Sequence, residues 1–340
     1  MRLSMSLLQA LATVRATEQR ARIFVSGAQL AGQFGVTRSA IWKGVEELRE
    51  LGTEIEAVTH EGYRLRHPAS PLDAAGVIAL LPPATQALLR QGECQGAIAS
   101  TNTVLLERGA PPPGRFDFLT AEHQSAGRGR RGRSWLAPPG GAICLSWSWC
   151  FEGMATQLGA LSLAIGLACL RALRSQGIEG VQLKWPNDLV TGSGKLAGIL
   201  IEIRSEAAGP VQVVVGLGLN MALGGGLRER IDAIGNQPAD LCSLVPAAAL
   251  PARNALVAAL LHHGVTVMRN FAQDGFLPFC DEYQMADALR DRFVDVQGGP
   301  GVTRGIARGV DPDGALRVEQ DGVIHRIIGG EVSVRAGREA

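Results

Sequence analysis

Apolar residues at the start of the chain recur at intervals of three and four, which is the period of an amphipathic helix. Residues 27–33 form one such helix, a turn follows at 34–36, and Thr37 has the side chain of an N-cap for the next helix. That second helix has an apolar stripe at helical spacing, Ile41, Val45 and Leu48. Residues 54–65, with a turn at Glu61-Gly62, are typical of a β-hairpin. The pattern predicts a winged helix-turn-helix domain.

The middle of the chain mixes strand-like and helical runs. The strand-like runs are 116–121, 143–149, 181–185 and 211–217, and the helical runs are 101–108, 156–175 and 253–271. After about residue 289, short alternating runs are separated by turn signals at Gly298-Gly299, Asp313-Gly314, Asp321-Gly322 and Gly329-Gly330. We therefore predict a multi-domain α+β protein. Its parts are a winged helix at 1–67, a mixed α/β domain at 68–288 entered through a linker at 67–73, and a small β-barrel at 289–340.

Composition narrows the class of protein. Thirty-three basic and thirty-two acidic residues give a net charge of +1, so no overall field draws the chain to DNA or to anionic lipid. The six cysteines are scattered, without C-x-x-C pairs or zinc-ligand spacing, which is typical of a reduced cytoplasmic protein with structural thiols. Arg15 interrupts the N-terminal apolar stripe and Arg171 interrupts the run at 158–173, so we expect neither a signal peptide nor a membrane segment.

The polar face of the predicted second helix offers groups that suit a DNA groove, namely Arg38, Ser39, Trp42 and Lys43. Residues 1–67 contain nine basic and seven acidic residues, a balance of only +2. One copy would therefore bind DNA weakly, and useful affinity would require two copies on a paired site. The alternative is a small helical domain with a structural or protein-docking role.

A loop at 127–133 reads Gly-Arg-Gly-Arg-Arg-Gly-Arg. Glycine permits almost any backbone angle and guanidinium groups donate in pairs, so this loop can fold around phosphate or carboxylate oxygens. Its G-x-G-x-x-G spacing is no dinucleotide fingerprint, because prolines and glycines follow where a helix would have to begin. Gly194-Lys195 is no P-loop either, because leucine stands at 189 and 196. Viewed alone, the arginine loop could also be a nucleic-acid patch or a solvated basic turn.

Three later segments change that interpretation. Residues 184–188 end one strand-like run and Lys195 begins another, so hairpin pairing would bring two lysines and a carboxylate together. The run Val-Gly-Leu-Gly-Leu-Asn at 215–220 lacks side chains where a ligand could approach the backbone. With the arginine loop, these segments outline one cleft for an activated anion.

Together the motifs resemble those of the group II bifunctional biotin protein ligases and biotin-operon repressors, over nearly the whole chain. The matching residues are Ser100-Thr101-Asn102, the loop 127–133 with Trp135, Lys-Trp-Pro-Asn-Asp at 184–188, Lys-Leu-Ala-Gly at 195–198, Gly-Leu-Gly-Leu-Asn at 216–220 and Gly-Gly-Glu at 329–331. The resemblance implies a class II synthetase-like ligase domain and an SH3-like C-terminal barrel. It also implies an enzyme that joins biotin and ATP into biotinyl-5′-adenylate and then acylates one lysine of the biotin carboxyl carrier protein of acetyl-CoA carboxylase.

The resemblance further implies roles for single residues. Biotin would be held by Ser100, Thr101, Asn102, Gln124, Arg128, Gly129, Arg130, Lys195 and Gly198. ATP and the adenylate would be held by Arg128, Arg130, Arg131, Arg133, Trp135, Asn187, Lys195 and Asn220. Lys195 and Arg130 would stabilise charge that grows on the carboxylate, the phosphate and the departing pyrophosphate. Asp188 would help to deprotonate the carrier lysine or would hold the local network in place.

Mg²⁺ would enter with ATP, held by phosphate oxygens and water, and we expect no metal site of the protein itself. The glycines of the arginine loop and of 224–226 would let two segments close over the adenylate and exclude water. An adenylate-bound homodimer would present two winged helices to the biotin operator DNA. Two alternatives stay open, a lipoate-type protein ligase and a non-catalytic transcription factor that senses a metabolite. The C-terminal barrel would either position ATP or the carrier or serve as a packing module.

Overall fold

A computed structural model describes residues 1–17, 23–67, 69–152, 158–205, 210–233, 237–298, 301–328 and 333–336. Three regions follow one another along the chain, and each contains its own sheet. The turn predicted at Gly329-Gly330, the motif at 329–331 and Gly299 lie outside the described residues.

The N-terminal region is the predicted winged helix-turn-helix. Its elements are α1 (Arg2–Thr17), α2 (Gly27–Phe34), α3 (Arg38–Glu50), β1 (Ile55–Val58) and β2 (Gly62–Leu65). Thr37 caps α3 by accepting a hydrogen bond from Ala40 N at 3.2 Å. Helix α1 packs on α3, and β1 pairs with β2 in an antiparallel wing. The stripe that the sequence predicted on α3, Ile41, Val45 and Leu48, is fully buried in their common core.

The central region is built on a seven-stranded mixed sheet. Its strands are β3 (Leu89–Ile98), β4 (Phe116–Gln124), β5 (Ala142–Phe151), β6 (Gln182–Lys184), β7 (Asp188–Thr191), β8 (Gly194–Ser205) and β9 (Val211–Asn220). Its helices are α4 (Ala74–Leu80), α5 (Pro83–Gln86), α6 (Thr101–Arg108), α7 (Leu161–Ser175), α8 (Gly225–Ala233), α9 (Arg253–Asp274) and α10 (Cys280–Ala286). Short 3₁₀ turns lie at Arg130–Gly132, Leu158–Ala160, Leu241–Ser243, Ala247–Ala249 and Leu277–Phe279.

The strand order of this sheet is β3-β4-β5-β9-β8-β7-β6. Strands β3 and β4 pair in parallel, and the other described pairs are antiparallel. Helices α7 and α9 pack on each other and on β5 and β8, so the main apolar core lies between these helices and the sheet. The mixed α/β pattern expected for the middle of the chain is confirmed.

Helix α7 belongs to a long apolar stretch. Residues Leu158–Ser175 are long and apolar enough to cross a membrane, and no other helix in the described parts of the chain meets that test. However, 67% of the stretch is buried inside the protein. Its packing is therefore that of a core helix.

The C-terminal region is a five-stranded antiparallel sheet. Its strands are β10 (Phe293–Gly298), β11 (Gly301–Val310), β12 (Leu316–Gln320), β13 (Val323–Ile327) and β14 (Ser333–Ala336). The order is β13-β12-β11-β10-β14. Asp321 and Gly322, with φ values of 52° and 76°, form the tight turn between β12 and β13. A small antiparallel β domain is thus confirmed, with β13 and β14 at the edges of the sheet that the described pairs define.

Buried contacts attach the N-terminal region to the central one. Thr53, which follows α3, donates from Oγ1 to Pro139 O at 2.9 Å. In the linker, Ser70 O accepts from both Nε and Nη2 of Arg253, at 2.8 and 2.6 Å. The same guanidinium pairs with Glu122, and both side chains are only 2% exposed. Ser70 of the predicted linker therefore lies against the central domain, and the exact boundaries at 67–68 and 288–289 stay predictions.

Candidate functional site

The candidate site lies on three neighbouring strands of the central sheet. Gly218, Gly198 and Asp188 form the surface that we call the floor of the site. The register pairs Gly218 of β9 with Gly198 of β8, and Gly198 with Asp188 of β7. A Cβ atom at Gly218 would lie 2.2 Å from the ring of Trp135, and one at Gly198 would lie 3.1 Å from Lys195 Cε. Larger residues at the two glycines would collide with side chains that the sequence assigned to the site. The glycines are needed because these side chains cross directly over the backbone.

The arginine loop folds back on itself as a small hairpin. Gly129 N donates to Arg133 O at 2.7 Å, and Trp135 N donates to Gly127 O at 2.9 Å. Arg131 has a φ of 60° at the tip, a left-handed conformation that reverses the chain. Extended residues follow instead of a helix, as the prolines predicted. The folded loop thereby carries the indole of Trp135 onto the floor.

At one end of the floor, four side-chain oxygens are connected by successive short contacts. Ser146 Oγ is 2.6 Å from Asn102 Oδ1 and 2.6 Å from Thr101 Oγ1. Thr101 Oγ1 is in turn 3.1 Å from Gln124 Oε1. Thr101 N donates to that same Gln124 oxygen at 2.8 Å, so the amide of Gln124 is held with its oxygen inwards. We call these four side chains the polar end of the site.

The polar end has fewer donors than its contacts require. Its two outer atoms are amide oxygens, which can only accept, while each of the two hydroxyls has one proton. Three oxygen–oxygen contacts therefore share two protons. A ligand that supplies an N–H or O–H donor to Gln124, which is partly exposed, would leave the Thr101 hydroxyl free to donate to Ser146 and the Ser146 hydroxyl free to donate to Asn102.

Helix α6 begins at the polar end. Ser100 accepts a hydrogen bond from Thr103 N at 3.5 Å as the N-cap of this helix. Ser100, Thr101 and Asn102 are only 5%, 4% and 4% exposed. The structure thus gives Ser100 a role in starting the helix, and a direct contact of Ser100 with biotin stays a prediction.

Sequence reasoning missed Glu202 of β8. Its Oε2 atom accepts from Asn102 Nδ2 at 2.8 Å and from Arg128 Nη2 at 2.9 Å. Arg128 also donates to Thr103 Oγ1 at 3.0 Å, so the loop arginine is held over the start of α6. Glu202 follows Gly198 by four positions and therefore shares its face of the strand. That period-two spacing is the signal that could have revealed it.

The other end of the floor is cationic. Lys195 Nζ lies 2.7 Å from Asp188 Oδ1 and 5.7 Å from the centroid of the Trp135 ring. The register between β7 and β8 shifts beside Lys195, and such a bulge changes the direction of a side chain. The proximity that the hairpin predicted is confirmed for Lys195 and Asp188. Lys184, the second lysine, is the register partner of Asp188 on β6.

Arg130 lies close to this cationic end. Its Nη1 donates to Asn187 Oδ1 at 3.4 Å, and Asn187 Nδ2 donates to Ile199 O at 2.7 Å. Burial, followed by the charge of Arg131, lowers the pKa of Arg130. A guanidinium stays charged despite such a shift, so Arg130 places a partly buried positive charge beside Asn187. Arg131 and Arg133, in contrast, are exposed.

Two other predicted parts of the site have mainly structural contacts. Asn220 Nδ2 donates to Ala239 O at 2.9 Å and to Lys195 O at 3.4 Å, so it holds the backbone that carries the lysine. The segment 224–226, which we expected to close over the ligand, leads into α8, and Gly225 N donates to Glu54 Oε1 at 3.2 Å. This segment differs from the prediction because it packs against the winged helix.

The C-terminal sheet also reaches the site. Trp185, which is 2% exposed, donates from Nε1 to Gly314 O at 2.9 Å. Gly314 has a φ of 85°, and a Cβ atom there would lie 2.7 Å from Ala160 Cβ. Trp185 lies between Lys184 and Asp188 in the sequence. The C-terminal sheet therefore supports the segment that carries these two residues.

Thiol and metal chemistry find little support in the described residues. Burial raises the pKa of Cys94 to about 11 and those of Cys144 and Cys169 to about 12, so these thiols stay protonated. No group of three or more His, Cys, Asp or Glu side chains that could hold a metal ion occurs there.

Four residues predicted to face DNA lie on one side of α3. Arg38, Ser39, Trp42 and Lys43 are all exposed, and Trp42 has 53% of its surface accessible. The opposite side of α3 forms the core of the domain. The helix therefore presents a basic and aromatic surface that suits a nucleic-acid groove.

Three family models match the chain. They are an HTH domain at residues 19–64, the biotin/lipoate A/B protein ligase family at 96–220 and a biotin protein ligase C terminal domain at 292–335. The matches follow the same order as the three structural regions.

Individual relatives match over most of their length. The bifunctional ligase/repressor BirA of Salmonella typhimurium is 39% identical over 92% of this chain and 94% of that protein, and the Escherichia coli protein of the same name is 37% identical over 93% and 94%. A biotin protein ligase from Aquifex aeolicus, solved in complex with biotin and ATP, has a TM-score of 0.60 over 73% of this chain and all of that one. At 23% identity, that likeness shows a common fold. The chain belongs to the family of the bifunctional ligase/repressor BirA.

Proposed function

We propose that this protein activates biotin with ATP to biotinyl-5′-AMP and transfers the biotinyl group to a lysine of the biotin carboxyl carrier protein of acetyl-CoA carboxylase. The observation that carries the proposal is that one glycine floor joins a donor-deficient polar end to a cationic end. The polar end suits a ureido ring, and the cationic end suits a carboxylate and phosphates. The BirA relatives and the ligase family models support the same reaction.

The polar end favours biotin over lipoate. The ureido group of biotin has two N–H donors, whereas the dithiolane ring of lipoate has none. A ligand with N–H donors can hydrogen-bond to the acceptors of the polar end, whereas a ligand without donors forgoes those hydrogen bonds. We therefore expect lipoate to be a poor substrate, although the matching family model covers both kinds of ligase.

The first step is an attack of the biotin carboxylate on the α-phosphorus of ATP. A new O–P bond forms as the bond to pyrophosphate breaks, and both reactants are negatively charged. Lys195 and Arg130 reduce this repulsion, while Asp188 orients the lysine through their 2.7 Å ion pair. Trp135 covers the floor and excludes water from the anhydride. Mg²⁺ belongs to the nucleotide substrate in this proposal, because the described residues contain no carboxylate cluster for it.

The second step transfers the acyl group. The amine of the carrier lysine attacks the carbonyl carbon of the adenylate, an amide forms, and AMP leaves with the bonding electrons. The attacking ammonium must lose its proton before the attack. Of the two roles expected for Asp188, orientation of the network is the better supported, since its Oδ1 is already engaged by Lys195.

Biotin-dependent ATP–pyrophosphate exchange tests the first step, and the mass of an apo carrier domain after incubation with biotin and MgATP tests the second. We expect exchange with biotin, little exchange with lipoate, and a carrier heavier by one biotinyl group. Absence of both signals would refute the proposal. Biotin binding without exchange would indicate the metabolite-sensing transcription factor instead.

The winged helix supports a second activity, repression of biotin synthesis genes. The four exposed residues of α3 would enter the operator, and a homodimer would compensate for the weak charge of one domain. A gel shift with the biotin operator DNA should show binding that increases with biotin and ATP and decreases in the Arg38→Ala variant. Binding that ignores the ligands would contradict this half of the proposal. We expect both activities in the cytoplasm, where ATP, carrier protein and operator occur together.

A further inference from the structure

Glu202 joins two parts of the proposed site that are distant in sequence. The single atom Oε2 accepts from Asn102 of α6 and from Arg128 of the arginine loop, at 2.8 and 2.9 Å. The Glu202 side chain is 22% exposed and that of Arg128 is 44% exposed. The carboxylate is thus the more enclosed partner, and it connects the wall of the polar end to the loop above the floor.

Glu202, together with the weaker acceptor Leu200 O, also determines which way the amide of Asn102 faces. A carboxylate can only accept, so Asn102 must turn Nδ2 towards it, and Leu200 O accepts from the same nitrogen at 3.3 Å. Asn102 Oδ1 then faces Ser146 Oγ at 2.6 Å. In the reversed orientation, Asn102 would donate to Ser146 and the polar end would no longer lack a donor. The preference of the polar end for a ligand donor therefore depends on Glu202.

We propose that Glu202 is a positioning residue that sets the hydrogen-bond polarity of the biotin-binding end and also holds the arginine loop through Arg128. The inference rests on the proposed function. Glu202 lies at the opposite end of the floor from the Lys195–Asp188 pair. It therefore controls how well biotin and its adenylate are held, while the chemical step depends on other residues.

Glu202→Gln tests this role with little change in shape. The new amide can donate to Asn102 Oδ1, so that only the 3.3 Å contact with Leu200 O still opposes a reversal of Asn102, and the charge that held Arg128 is gone. Loss of one hydrogen bond to a charged group corresponds to about a tenfold change or more. In biotin-dependent ATP–pyrophosphate exchange, we expect KM for biotin to rise by about that factor while kcat stays within about twofold. Preformed adenylate should also be released faster.

Glu93→Gln is the matched control. Glu93 of β3 holds Arg108 at the far end of α6, at 2.9 Å and with 29% of its side chain exposed. Its removal deletes a similar ion pair from the same helix, and we expect KM for biotin to stay unchanged. Glu202→Asp, which keeps an acceptor-only group, should lie closer to the natural protein than Glu202→Gln does.

A double-mutant cycle tests whether Glu202 changes KM for biotin through the Asn102–Ser146 contact. Ser146→Ala removes the hydroxyl whose proton the Asn102 amide directs, so Glu202→Gln should change KM much less in that background. An unchanged KM in Glu202→Gln, an equal effect with and without Ser146, or a KM for Glu202→Asp as high as that of the Gln variant would overturn the inference. If the natural protein itself showed no exchange, the proposed function would fail instead.

Discussion

Gly218→Ala is the sharpest test of the arrangement over the floor. The added methyl carbon would lie 2.2 Å from Cε2, 2.4 Å from Nε1 and 2.7 Å from Cζ2 of Trp135. Ordinary carbon contacts need about 3.5 Å or more, so the indole must retreat by about 1 Å. Overpacking of this kind costs about 1–3 kcal/mol. Trp135 follows the arginine loop and is hydrogen-bonded to its Gly127. We therefore expect the cost to fall mainly on the state in which the loop and the indole cover the floor.

The cost translates into a measurable rate. A loss of 1–3 kcal/mol from the closed state corresponds to release of the adenylate that is roughly 5-fold to 150-fold faster. Enzyme charged with labelled biotin and ATP, freed of excess ligand by a spin column, would report the release over time. Gly32→Ala is the control, because a Cβ atom at that position in α2 meets nothing within 4 Å. Release rates equal in the two variants would show that the indole does not cover the floor.

Four further changes test other parts of the structure. Lys195→Ala should slow biotin-dependent pyrophosphate exchange by ~10² or more with an unchanged melting temperature, and a normal rate would remove its catalytic role. Arg130→Gly should release adenylate, which would then acylate lysines of other proteins in a mixture, and mass spectrometry would detect that labelling. If only the carrier lysine were labelled, Arg130 would not retain the adenylate. Glu122→Gln leaves the charge of Arg253 without its carboxylate partner at 2% exposure, so urea unfolding should lose about 3–5 kcal/mol, whereas a loss below 1 kcal/mol would mean that water reaches the pair. Burial raises the pKa of Asp287 from 3.8 to about 6, so the stability that this group contributes is fully present below about pH 4 and is lost as the pH rises through 6. Asp287→Asn should therefore stabilise the fold by roughly 2–3 kcal/mol at pH 7 and by little at pH 4, and equal effects at both would contradict the shift.

Local patterns predicted the elements well. Thr37 marks the start of α3 because a hydroxyl before an amphipathic run satisfies free helix N–H groups. The helix at 101–108 has the predicted bounds, and the proximity of Lys195 to Asp188 follows from two adjacent strands joined by a tight turn. These features depend on neighbouring residues, so the sequence alone suffices to predict them.

Features that depend on distant contacts escaped prediction. The alternation along β8 places Glu202 on the same face as Gly198, but it does not indicate that one oxygen of Glu202 accepts from both α6 and the arginine loop, because those partners lie 100 and 74 positions away. Because glycines are permissive, the sequence at 224–226 predicts a flexible cover, yet Gly225 contacts Glu54 of the N-terminal region instead. The indole of Trp135 over Gly218 likewise depends on how the loop folds over the sheet.

The hydrogen bond between Trp185 and Gly314 limits how far this enzyme can be trimmed. A shortened version ending before β10 would expose the large aromatic ring of Trp185 and leave its N–H group without this acceptor. Trp185 is one position from Lys184 and two positions from Asn187 in the sequence. The C-terminal sheet thus stabilises the segment that carries Lys184, Asn187 and Asp188. A shortened enzyme for protein labelling that is made from this chain should therefore retain the C-terminal sheet.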